Sequence, residues 1–289
     1  MMFKKFDDYN HRSVHKTLAT RTGGIGVFLT LLFISLFFYF NDQEIFDYSL
    51  FIPLAIMFVV GVYDDFYNAD FKLKFLLQII VAKILIDQGF IISNYNGFLG
   101  LYEIPRLLAQ FTTIFVFLLI VNSINFIDGI DGLAITQVLK IIILIEVFSS
   151  QNTPLFELGF LVVFSLLPLY YYNFKKRKKI FLGDAGSLFL GTLIAIYILF
   201  VLGDQYNFRH DFSVNKTLFS IIVILYPLLD VLRVFILRIK SGMSPFEPDK
   251  RHLHHFILKK ISSKHYFVTG LIIIIELSLI VVLIKLFET

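Results

Sequence analysis

Cysteine is absent from the 289-residue sequence, and charged residues make up only 17% of it. The first absence excludes disulfide frameworks, iron–sulfur clusters, thiolate zinc sites and cysteine nucleophiles together. The second, set against about 25% charge in soluble domains, excludes a water-soluble enzyme. Apolar residues take the place of charge: 57% of the chain is hydrophobic, with 35 phenylalanines, and the mean hydropathy is +0.78. The formal charge of +4 reads as lysine and arginine retained on the cytoplasmic side of a membrane, so no nucleic-acid partner is expected.

An apolar run needs about 20 residues to cross a bilayer. Nine such runs are marked, at approximately 24–40, 47–63, 75–91, 107–124, 132–149, 155–172, 187–203, 217–237 and 267–287. The expected fold is therefore an all-α polytopic membrane protein of about nine transmembrane helices, forming one domain over 1–289. A polar, charged start argues against a cleavable signal peptide. Lysine and arginine collect in the N-terminal segment (Lys4, Lys5, Arg12, Lys16, Arg21), in 173–186 (Lys175 to Lys179) and in 238–266 (Arg238, Lys240, Lys250, Arg251, Lys259, Lys260, Lys264), and are sparse in the alternate loops. With nine spans, a cytoplasmic N-terminus puts every basic loop inside and the C-terminus outside.

Four polar clusters fall on that same cytoplasmic face: Asp64-Asp65, Asn122 to Asp131, Gly183 to Ser187, and Asp249 to His255. Residues so far apart in sequence meet only if the bundle gathers their loops into one site at the membrane surface. Adjacent carboxylates on a helix point about 100° apart, so one of Asp64 and Asp65 faces the site while the other pairs with a cation such as Lys72 or Lys74. A helix-end stop signal is the alternative. In Asn122-x-x-Asn125-x-x-Asp128-Gly-x-Asp131-Gly, polar residues recur every third position and each Asp precedes a Gly, which permits tight turns and close backbone approach to a ligand. Gly183, Asp184 and Gly186 open a helix, where backbone N–H groups favour phosphate and Asp184 offers Mg²⁺ a carboxylate, or else serves as an N-cap. Arg251, His252, His254 and His255 suit an anion better than zinc, since the spacing is not a zinc pattern. Arg21-Thr22-Gly23-Gly24 reads as a nucleotide-contacting turn or an ordinary helix start. Inside the runs, Lys83, Lys140, Glu146 and Glu276 are isolated charges, those near helix ends snorkelling to the surface, and Asp230 and Arg233 form an i,i+3 pair.

In their order and spacing these motifs resemble the polyprenyl-phosphate N-acetylhexosamine-1-phosphate transferases of glycosyltransferase family 4, which include phospho-MurNAc-pentapeptide transferase and the bacterial GlcNAc-1-phosphate transferases. The resemblance runs over nearly the whole chain. It implies an enzyme of the bacterial cytoplasmic membrane that passes a sugar 1-phosphate from a UDP-N-acetylhexosamine, GlcNAc first among them, to undecaprenyl phosphate. UMP is released and a cell-surface glycan such as an O-antigen is begun. It further implies Mg²⁺, with Mn²⁺ as a substitute, held by Asp184 and Asn125. Asp64 or Asp65 would act on the lipid phosphate, Asp128, Asp131, His254 and His255 would belong to the catalytic region, and Gly23, Gly24, Asn122, Asp131, Arg251 and His252 would bind substrate. A homodimer and membrane lipids complete the implied partners.

Three departures stand out: only a short polar segment precedes Arg21 where the family usually has another membrane helix, so either the start is truncated or this branch does without it; Thr20 replaces a common proline; and Asn68 stands where other branches carry an acid or lysine. The last disfavours the pentapeptide branch. A secondary transporter would place its ionisable residues near mid-membrane in broken helices, whereas here they gather at one face. A non-catalytic sugar-nucleotide binder is the remaining alternative.

Overall fold

The computed structural model describes residues 19–175, 177–242 and 251–287. Lys4, Lys5, Arg12, Lys16, Lys176, Pro248, Asp249 and Lys250 lie outside the described residues. Eleven helices follow in order: α1 (Gly23–Phe40), α2 (Phe51–Tyr67), α3 (Phe71–Asp87), α4 (Arg106–Ile127), α5 (Leu133–Phe148), α6 (Phe156–Asn173), α7 (Gly183–Leu202), α8 (Lys216–Val223), α9 (Leu225–Lys240), α10 (Leu253–Lys260) and α11 (His265–Phe287). A short parallel pair joins β1 (Ala19–Thr20) to β2 (Lys179–Ile180). Thr20 thus lies in the strap that ties the entry of α1 to the approach of α7.

Each expected run is helical, but among the described residues six helices are long and apolar enough to cross a membrane, or seven if α8 and α9 count as one bent span. The protein is thus a multi-pass, all-α membrane protein. α3 and α5 have 17 and 16 residues. At 1.5 Å per residue they reach about 24–26 Å, short of the roughly 30 Å hydrocarbon core. The run expected at 217–237 breaks at Ile224, where the chain turns by 74°. Pro227 accounts for this: it has no N–H to give the Val223 carbonyl, and its ring collides with that carbonyl in a continuous helix.

α7 is the axis of the bundle. Its window is wholly buried, whereas the other spans bury between 33% and 44% of theirs and leave a face for lipid. Because lipid tails are as apolar as leucine, such helices associate through close packing of small residues. A Cβ at Gly24 would lie 2.1 Å from the Gly186 nitrogen, and one at Gly61 2.3 Å from the Asp184 carbonyl oxygen. We expect Gly24→Ala to push α1 off α7 and cost about 1–3 kcal/mol, the usual range for overpacking, read as a lower thermal midpoint in detergent.

Local signals set the helix ends. Asp70 and Asn215 accept the first N–H groups of α3 and α8. Asn68 closes α2 in the left-handed region at φ 53°, ψ 73°, a conformation that asparagine tolerates better than most residues.

The interior charges are paired, which corrects the reading of them as isolated. Lys83 meets Asp87 one turn on, and Glu146 accepts from the Thr153 hydroxyl at 2.6 Å. Lys140 Nζ lies 2.5 Å from Glu276 Oε1, with both side chains buried, and Gln137 donates to the other Glu276 oxygen at 2.6 Å. No snorkelling is involved, because the two charges neutralise each other between α5 and α11.

Candidate active site

The N-terminus of α7 is the meeting point of three of the clusters. Gly183 takes φ +76° there, with Asp65 Oδ2 and the Arg21 carbonyl oxygen 2.8 and 3.0 Å from where its Cβ would stand. This leaves the N–H groups of Asp184 and Ala185 pointing at Asp65, which accepts them at 3.1 and 2.9 Å. Asp65 therefore caps α7 from another helix, with Arg21 3.7 Å away. Its neighbour turns elsewhere: Asp64 accepts from Lys74 Nζ at 2.7 Å and from the Ala69 N–H at 2.8 Å. The sequence expectation of one carboxylate on a cation and one toward the site thus resolves as Asp64 on Lys74 and Asp65 on α7.

Asp184 sits one residue into α7 with its carboxylate inward. Asn125, near the end of α4, donates its amide to Asp184 Oδ1 at 2.7 Å and to the Ser187 hydroxyl at 2.8 Å. Asp128, just beyond α4, completes the acidic group. Its carboxyl is pushed well above the ordinary value by burial first, then by the carboxylates of Asp184 and Asp65.

The next turn carries the histidines. A Cβ on Gly129 would lie 2.8 Å from His254 Nε2 and 3.4 Å from the His255 ring. His252 Nδ1 is 2.8 Å from Asp230 Oδ2, and the Leu253 N–H donates to Asp230 Oδ1 at 2.7 Å. Asp230 lies 3.5 Å from Arg233 as the i,i+3 spacing foretold, yet its closer partners are in the histidine segment. The first turn of α10 is thereby fastened to α9 beside the Asp128-Gly129 turn.

Other expected site residues point to different work. Gly23 and Gly24 donate their N–H groups to the Phe181 and Leu182 carbonyls, at 3.0 and 2.8 Å, so both serve packing instead of offering those groups to a nucleotide. Asn122 donates to Gln78 Oε1 at 2.8 Å, tying α4 to α3. Arg251 donates to the Ser241 hydroxyl at 2.8 Å and the Leu237 carbonyl at 3.3 Å, at the end of α9.

Asp131 joins Lys179 at 2.5 Å and His265 at 3.0 Å, while the Thr269 hydroxyl donates to its carbonyl. Burial alone would raise the Asp131 carboxyl, but His265 and Lys179 outweigh it and hold it below the ordinary value. A depressed folded-state value contributes stability above the carboxylate range, lost as pH falls through it. Asp131→Asn is expected to cost about 1.5–3 kcal/mol at neutral pH, with the gap in thermal midpoint between variant and parent closing as pH is lowered.

Sequence reasoning did not single out Tyr226 or His265. His265 carried no local signal. Tyr226 did, as a polar ring four residues before Asp230 in an otherwise apolar run.

No group of three or more His, Asp or Glu residues among the described residues converges tightly enough to hold a metal alone. That donor set fits Mg²⁺, which binds through one or two carboxylates and takes its remaining ligands from water and substrate phosphates.

A multi-pass membrane protein that gathers Asp65, Asn125, Asp128 and Asp184 at one helix end, with a histidine segment beside them, has the parts of a membrane enzyme. A match to glycosyl transferase family 4 spans residues 47–202; the chain belongs to that family. It is 30% identical over 263 residues to an undecaprenyl-phosphate alpha-N-acetylglucosaminyl 1-phosphate transferase of Yersinia pestis, covering 88% of this chain and 69% of that relative. A decaprenyl-phosphate N-acetylglucosaminephosphotransferase of Mycobacterium leprae is 30% identical over 274 residues, 86% of this chain and 68% of its own. The Escherichia coli K12 protein named like the first is 29% identical over 262 residues, 88% and 69% of the two chains.

Proposed function

We propose that this protein transfers GlcNAc 1-phosphate from UDP-GlcNAc to undecaprenyl phosphate and releases UMP. The observation that carries it is the convergence of Asp65, Asn125, Asp128 and Asp184 at the α7 N-terminus, in a chain whose relatives are named for that reaction on polyprenyl phosphates. Those names favour it over pentapeptide transfer.

In the reaction, an oxygen of the lipid phosphate forms a bond to the sugar-linked phosphorus, and the bond from that phosphorus to the bridging oxygen breaks, so that UMP leaves with the electron pair. Both reactants are anions, and positioning with charge neutralisation carries most of such catalysis. Asp184 and Asn125 would hold Mg²⁺, with Mn²⁺ as its substitute. Bound there, the ion would neutralise phosphate oxygens. Asp65 keeps the α7 N-terminus in place, and Asp64 with Lys74 fixes the α2–α3 turn. Neither is needed as a strong base, because a phosphate monoester is already ionised at neutral pH. The histidine segment would contact the diphosphate or the sugar.

The same reading orients the chain. If all nine apolar segments cross, with α8 and α9 as one bent span, the basic loops and this site lie at the cytoplasmic face of the inner membrane and the C-terminus lies outside. A homodimer belongs to the same proposal.

The test is UMP release by the purified full chain with undecaprenyl phosphate, Mg²⁺ and a panel of UDP-sugars. Release with UDP-GlcNAc above the others is the expected result. Release with no UDP-N-acetylhexosamine from monodisperse protein would overturn the proposal.

A further inference from the structure

Tyr226 lies outside the four clusters, yet through it the helix break meets the histidines. As the second residue of α9, after the 74° turn, its N–H has no intrahelical acceptor, and Glu276 Oε1 takes it at 3.1 Å. Glu276 is held in turn by Lys140 and Gln137. With its backbone fixed, the buried Tyr226 places its hydroxyl 3.3 Å from His254 Nδ1. His254 has no exposed surface, and its other nitrogen, Nε2, has no hydrogen-bond partner among the described residues. That nitrogen faces Gly129, beside Asp128, where a Cβ would lie 2.8 Å away. An imidazole tied at one nitrogen and left unpartnered at the other, against the glycine of the site turn, has one hydrogen-bonding group still to satisfy, and a ligand reaching that turn would satisfy it.

Which nitrogen carries the proton follows from the partners. A phenol is a stronger donor than a neutral imidazole N–H, so the Tyr226 hydroxyl donates and Nδ1 accepts. Asp230 is the competing acceptor, but its Oδ2 is 3.8 Å from His254 Nδ1 and already meets His252 at 2.8 Å. The charged and titratable groups around the ring are Asp230 and Arg233 of α9, His252 at the N-cap of α10 and His255 within it. Burial first, then His255, lowers the proton affinity of His254 far below the ordinary value, which keeps the ring neutral.

We propose that Tyr226 is a positioning residue whose hydroxyl fixes His254 as the Nε2–H tautomer, so that His254 presents a hydrogen-bond donor, not a base, to a substrate oxygen at the Asp128-Gly129 turn. This rests on the transferase reading of the site. A neutral donor in a buried setting suits an oxygen of the diphosphate on which charge builds as UMP leaves.

The test is Tyr226→Phe in the full chain, which keeps the ring and its packing. Its kcat is expected to fall about tenfold, the scale of one hydrogen bond, with KM for both substrates within about twofold. With ¹⁵N-histidine labelling, and the His254 signals assigned by their loss in His254→Gln, the parent should show one neutral tautomer with the proton on Nε2 and Tyr226→Phe a mixture. Parent-like kcat in Tyr226→Phe would overturn the proposal. Lowered kcat with an unchanged tautomer would also overturn it, because Tyr226 would then act by packing alone. Should the variant not fold, the parent spectrum decides alone: a proton on Nδ1 sinks the idea. A tautomer shift in a protein that releases UMP from no UDP-sugar would instead leave the positioning intact and overturn the transferase reading.

Discussion

Asp184→Ala is expected to lower UMP release by at least about 10²–10³-fold, the scale for removing one preorganised electrostatic group, while the folded protein is recovered. The two halves of this expectation rest on different atoms of the same residue. What caps α7 is the backbone N–H of Asp184, with that of Ala185, donating to Asp65, and alanine keeps it. What is lost is the carboxylate, whose Oδ1 partner is the Asn125 amide and which the proposed function assigns to the metal. Asn125 retains the Ser187 hydroxyl at 2.8 Å, so its buried amide is not orphaned. The thermal midpoint should therefore stay within a few degrees of the parent. Asp65→Ala should do the reverse in stability, since two N–H groups of a buried helix end lose their acceptor. Near-parent turnover by Asp184→Ala at limiting Mg²⁺ would remove Asp184 from the metal site.

The contrast between Asp184 and Asp65 marks what the sequence can and cannot disclose. Apolar runs are a local property, and each became helical. The Asp-Gly turns and the glycines opening α7 were likewise legible, because a turn or close approach has few chemical solutions. What each polar side chain touches depends on elements far along the chain. Asp131, spaced like a site residue, belongs to a joint with Lys179 and His265, the latter 134 residues away. Asn122, in the same periodic motif, faces Gln78 across 44 residues. Gly23 and Gly24 look like a nucleotide turn, but their N–H groups meet carbonyls just before α7, which no local pattern announces. The break at Ile224 was available to reading, in Pro227, but hydropathy alone carries the run straight across it.

Lys140→Met should destabilise the protein by about 3–5 kcal/mol, the cost of breaking a buried ion pair by removing one partner. The pair joins α5 to α11 across 136 residues of sequence, and both side chains are buried in the span region. Its energetic meaning lies in what remains when half is removed. The surviving carboxylate would face an apolar interior with only the Gln137 amide and the Tyr226 N–H as donors, and neither supplies charge. Replacing both partners is a different experiment. Lys140→Met combined with Glu276→Gln leaves no net charge, keeps an oxygen for the Tyr226 N–H and fills similar volume, so most of the lost stability should return. Thermal midpoints of the two single variants and the double variant form a double-mutant cycle. A strongly negative coupling, with the double variant close to the parent, is expected. Additive losses would mean that Lys140 and Glu276 contribute separately, and that the α8–α9 break is held by something other than their mutual neutralisation.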